Sequence, residues 1–123
     1  MYKVSEERFE EMVNDALDKI PDEFARRMRN VVVLVEDYHP DDPGLLGLYE
    51  GVSLTRRTFD HTGYLPDAIT IYRGALEDWC DSEEQLAAEV EVTLFHELGH
   101  YFGMPEEQLH RLGWGELEVN VAA

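Results

Sequence analysis

The chain has 123 residues, 44% of them hydrophobic, and sets 10 Lys and Arg against 27 Asp and Glu for a formal net charge of −17. That length suits a single domain spanning 1–123 that buries about two-thirds of its unfolded surface, and the hydrophobic content excludes a disordered acidic tail. The charge argues against a nucleic-acid surface, which needs a concentrated basic face, and no apolar run approaches the roughly 20 residues of a membrane span.

Residues 1–7 carry no apolar signal core, so a soluble, cytoplasmic protein is expected, acting as a monomer. Cys80 is the sole cysteine, which rules out an internal disulfide and reads as a small packing residue. Ser5 is a helix cap, Glu6 and Glu7 suit the positive end, and Phe9, Met12, Val13, Ala16, Leu17 and Ile20 recur at helical spacing up to Pro21. Residues 22–29 read as a short second helix with Phe24, Ala25 and Met28 inward and Arg26, Arg27 and Arg29 outward.

Val31, Val32, Val33, Leu34 and Val35 form a β-branched run suited to a central strand covered on both faces. Asp37, His39, Asp41 and Asp42 lie in a loop with two prolines, where turn chemistry accounts for them without a cation. Residues 45–54 supply one or two short strands bent at Gly47 and Gly51, and His61 falls in the polar connection that follows. Alternation over 67–73 predicts another strand, and Pro66 at its mouth favours a sheet edge. Residues 75–80 make one or two helical turns.

Ser82 with Gln85 three residues on matches a capping box, so a helix of about twenty residues should start near Glu83. At about 100° per residue, Ala87, Val90, Leu94 and Leu98 form an apolar side that anchors this helix to the sheet. The other side carries His96 and His100 in H-E-x-x-H spacing, one turn apart, with Glu97 beside them. Two imidazoles so placed reach one metal ion, and a neighbouring carboxylate takes a proton from its water, which is what a mononuclear zinc hydrolase requires. Glu89 shares that side and is a candidate partner for an imidazole N–H.

Gly103 stands where a left-handed glycine ends a helix, and Pro105 prevents continuation. The resulting turn brings Glu106 or Glu107 toward the histidines, with His110 as a rival third ligand. Leu109, Leu112 and Trp114 would cover the site from below, while Met104 is a packing residue.

Residues 96–106 read H-E-x-x-H-x-x-G-x-x-E. This closely resembles the zincin pattern, whose last residue is the third zinc ligand. With Leu46-Gly47-Leu48-Tyr49-Glu50-Gly51, the stretch 65–73 and the closing Leu112-Gly113-Trp114, the chain resembles the minimal zincin-like metallopeptidases of bacteria over nearly its whole length. The resemblance implies an α+β fold: a small twisted mixed sheet of three to four strands, a backing N-terminal helix and a long active-site helix.

It also implies Zn2+ held by His96, His100 and Glu106, with Glu97 as general base and a peptide or protein as substrate. Glu106 stands where the family usually has Asp. Tyr64, Tyr72 and His61 are candidate oxyanion partners among which the sequence does not choose. The competing expectation keeps the fold but drops the enzyme: a catalytically weak or inactive zincin-like module that binds metal or acts through its surface.

Overall fold

A computed structural model describes residues 1–51 and 66–114. Its elements follow in the order α1 (Glu6–Asp18), α2 (Asp22–Ala25), β1 (Val31–Glu36), β2 (Gly47–Glu50), β3 (Asp67–Tyr72), α3 (Arg73–Trp79), α4 (Glu83–Tyr101) and α5 (Glu106–Leu112). Among the described residues the sheet has three strands in the order β1-β3-β2. β1 runs parallel to β3 with Val31 opposite Asp67, and β2 runs antiparallel to it with Gly47 opposite Ile71. The fold is thus the mixed α+β class expected, with α4 lying against α1, β2 and β3.

Both long helices begin where the caps predict. Ser5 Oγ accepts from Arg8 N at 3.1 Å, and Phe9, Met12, Val13 and Ala16 form the buried face of α1. Ser82 Oγ accepts from Gln85 N at 3.1 Å, but the return bond is displaced by one residue, since Gln85 Oε1 takes the N–H of Asp81 at 2.8 Å. The capping box is therefore reciprocal across an extra residue, still satisfying two backbone donors. Val90, Leu94 and Leu98 are buried, as the apolar side requires, yet Thr93, Phe95, His96, Glu97 and Gly99 are buried too. The second half of α4 is enclosed all round, and its histidine side does not simply face an open cleft.

Three expectations are corrected. The run 31–35 is an outer strand among the described residues, with Val32, Leu34 and Val35 exposed by 38%, 44% and 38%. The strand at 67–72 takes the central place instead, flanked on both sides and almost wholly buried. Pro66 does not demote it, because the ladder starts one residue later with Asp67 N donating to Asn30 O at 2.9 Å, so the proline removes no bond. A short apolar run fits an outer or an inner strand equally well, and periodicity does not separate them.

The second helix spans only Asp22–Ala25. Beyond it the Tyr101 hydroxyl accepts from Arg29 N at 2.7 Å and donates to Arg29 O at 2.8 Å, which draws that backbone out of helical pairing and toward β1. Phe24 and Met28 pack on the core, whereas Ala25 is exposed. Cys80 is fully buried; burial first and the Glu89 charge second push its thiol up to about 12, the environment of an inert packing residue.

Candidate metal centre

The helical geometry of α4 does what the spacing demands. His96 and His100 lie one turn apart with their Nε2 atoms 3.1 Å from each other and their rings nearly perpendicular at 77°. His96 is 1% exposed, while the His100 side chain keeps a modest opening to solvent.

Delivery of a third donor depends on how α4 ends. Gly103 adopts φ 75°, the left-handed conformation glycine tolerates without a Cβ penalty. Its N–H donates to His100 O at 3.0 Å and that of Met104 to Gly99 O at 2.9 Å, the two bonds of a Schellman stop. Pro105 then precedes α5, so Glu106 is the first residue of the new helix. Its Oε1 lies 3.7 Å from His100 Nε2 and 4.0 Å from His96 Nε2. Close crossing of α5 over α4 holds it there: a Cβ built on Gly99 would stand 2.1 Å from Leu109 Cδ2.

His96, His100 and Glu106 are thereby brought together, their donor atoms all within 4.8 Å of one another. Among the described residues no other three such side chains converge in this way. The loop residues Asp37, His39, Asp41 and Asp42 accordingly form no such group, and His39 Nδ1 instead accepts from Asp41 N at 3.1 Å. Glu107 and His110 point to solvent on α5 and lie outside the cluster.

The donor set fits zinc. Tetrahedral bonds of about 2.0–2.1 Å place ligand atoms roughly 3.3 Å apart, and the three observed separations bracket that value. The fit extends to the far side of His96, whose Nδ1 lies 3.0 Å from the carbonyl oxygen of Trp114. A carbonyl only accepts, so Nδ1 carries the proton and Nε2 presents its lone pair inward.

A second glycine turn makes this contact possible. Gly113 adopts φ 80°, with Trp114 N donating to Leu109 O at 2.9 Å and Gly113 N to His110 O at 3.1 Å. The indole is clasped by Phe95 and Phe24 at ring separations of 5.1 and 5.4 Å. Leu109 and Trp114 close the site from below as expected, but Leu112 is 43% exposed and does not. The spacing of Gly113 after a second helical turn was the available signal for this carbonyl, and it repeats the pattern around Gly103.

Glu97 is 0% exposed and sits on the side of α4 that meets β2, where Gly47 packs on its stem. Glu89 is not the partner of an imidazole. It stands seven residues before His96, about 10 Å along the axis, and the position it would fill belongs to Trp114. Its Oε2 is buried with no hydrogen-bond partner among the described residues, and burial raises its pKa. Tyr72 packs edge-on against His39 with a ring separation of 5.7 Å, while His61 and Tyr64 lie outside the described residues.

A long helix presenting two imidazoles, a glycine stop and a returning carboxylate, packed on a small mixed sheet, define a zincin-like metal-site scaffold. The sequence model of the zincin-like metallopeptidases matches residues 28–114, and the chain belongs to that family. Among solved structures it is similar to a conserved hypothetical protein from Thermo thermophilus, with 27% identity and a TM-score of 0.52 over 89% of this chain and 97% of that one. The curated proteins contain no match.

Proposed function

We propose that the protein is a zinc-dependent peptidase in which His96, His100 and Glu106 hold the ion and Glu97 is the general base. The observation that carries this reading is the convergence of His96 Nε2, His100 Nε2 and Glu106 Oε1, with the buried Glu97 next to His96 on the same helix, in a chain of the zincin-like family. When bound, zinc supplies Lewis acidity that activates water and polarises a carbonyl.

The chain's own groups do the rest. Trp114 O keeps the His96 proton on Nδ1, so the Nε2 lone pair is available to a metal without a deprotonation step. Glu97 accepts a proton from the attacking water on a carboxylate oxygen and returns it to the leaving amine nitrogen. The walls around Glu97 exclude bulk water, which strengthens the electrostatic interactions within the site. The net charge of −17 favours basic segments of a peptide or protein substrate.

The full burial of Glu97 favours a second reading, a zinc-binding module without turnover. One comparison separates the two: cleavage of a degenerate peptide library by the zinc-loaded protein and by Glu97→Gln, with zinc content measured in both. A peptidase loses about 10²-fold or more in rate with its zinc intact. Equal rates remove Glu97 from the reaction, and absence of cleavage by fully zinc-loaded wild type leaves the module.

A further inference from the structure

Gly47 opens β2 directly opposite the turn of α4 that carries Glu97. A Cβ built there would stand 2.6 Å from Thr93 Cγ2, 3.3 Å from Glu97 Cγ and 3.4 Å from Thr70 O. The main chain of β2 is therefore itself the wall against which the Glu97 stem rests, with no side chain between them. That wall is fixed from behind, since Gly47 pairs with Ile71 of the central strand and Tyr72 N donates to Leu46 O at 2.9 Å. Leu46 and Ile71 are both fully buried, so the strand has little room to retreat.

We propose that Gly47 is the positioning residue of Glu97: its bare backbone sets the depth and rotamer of the glutamate stem and hence the place of the carboxylate. This rests on the reading of Glu97 as general base. A glutamate has three side-chain torsions, and a base must lie within hydrogen-bond reach, about 2.6–3.2 Å, of the proton it takes. A misplacement of about 1 Å costs roughly 10²-fold in rate. A wall at the Cγ atom removes the torsional freedom that would otherwise allow it. Thr93, on the preceding turn, contributes its methyl to the same seat. Its Oγ1 is buried without a hydrogen-bond partner among the described residues.

The prediction separates the glutamate from the ion. Gly47→Ala alone strikes Thr93 Cγ2 hardest and threatens the fold. Thr93→Ser removes that methyl, so Gly47→Ala/Thr93→Ser leaves the contact with Glu97 as the main residual conflict. Thr93→Ser alone serves as the reference. In the double variant zinc affinity, measured by chelator competition, stays within about tenfold of the reference, below the range of a disturbed ligand shell. At the same time kcat falls by about tenfold or more with KM little changed.

The visible spectrum of cobalt(II) loaded in place of zinc provides a readout that needs no turnover. Introducing Gly47→Ala into the Thr93→Ser reference changes that spectrum when Glu97 is present and leaves it unaltered when the reference also carries Glu97→Gln. The proposal is overturned if the spectral change has the same size in both backgrounds, if there is none in either, or if zinc affinity and kcat fall together. A wild type without any cleavage sinks the peptidase reading, while the cobalt comparison still decides the role of Gly47.

Discussion

The proton on Nδ1 of His96 is committed to the carbonyl oxygen of Trp114, 3.0 Å away, and this couples the last turn of the described chain to the donor atom on the opposite side of the ring. The contact is made by main chain, so its removal calls for a backbone change. Outer partners of metal-bound histidines are worth about 10–100-fold in affinity. A chain truncated after Gly113 is expected to bind zinc more weakly by that factor. Gly113→Ala meets no atom within 4 Å and introduces only left-handed strain at φ 80°, so its loss should be smaller, about fivefold for roughly 1 kcal/mol. Isothermal titration with zinc checks both, and equal affinities throughout would detach Trp114 from the site.

Glu106 is the candidate third donor that the sequence left open against Glu107 and His110, and the separations of 3.7 and 4.0 Å to the imidazoles favour it. As the first residue of α5 it projects back over the end of α4, while its rivals are turned outward. Glu106→Ala should lower zinc affinity by more than about 100-fold, beyond the range of outer partners. Glu107→Ala and His110→Ala should bind as the wild type does. A large loss in either of these with none at Glu106 would reassign the third ligand.

The parts of this molecule legible in the sequence are those fixed by local rules. Ser5 and Ser82 marked helix starts because a hydroxyl acceptor has few other uses there, and Gly103 with Pro105 marked the stop. His96 and His100 follow from helical pitch alone. What the sequence hid depends on partners distant along the chain. Neither the outer place of β1 nor the packing of Gly47 on Glu97 has any local signature, since each is set by which strand or helix arrives opposite. Glu89 shows the converse error: a helical-wheel angle placed it beside His96, and the axial rise removed it.

Gly99 has a second consequence through Leu109. A methyl at this position gains up to about 1 kcal/mol of helix propensity, but it drives into a fully buried side chain at 2.1 Å. Overpacking of that severity costs about 1–3 kcal/mol, so the crossing loses on balance and α5 shifts outward with Glu106. Gly99→Ala should lower both the melting temperature and zinc affinity. Gly99→Ala/Leu109→Ala should recover more of the affinity than of the stability, because the second change relieves the clash while emptying part of the core. Calorimetry and chelator competition on the two variants test this, and undiminished affinity in the single variant would show that α5 is not held by this contact.

Glu89 carries a pH dependence of known sign. Burial raises its carboxyl pKa above the ordinary value, so the folded state disfavours the charged form that the unfolded chain accepts. Below the unfolded value, about 4.3, both states are protonated and there is no penalty. As pH rises through that value and then the raised folded one, the unfolded state gives up its proton first, and stability falls until both have ionised. Glu89→Gln removes this loss. It should raise the melting temperature by a few degrees at neutral pH, with the advantage shrinking toward zero as pH is lowered below the usual carboxylate range. Scanning calorimetry of both proteins across that interval checks it. A stabilisation independent of pH would trace the effect to packing beside Cys80, and a destabilised variant would mean that the Glu89 carboxylate is welcome where it lies.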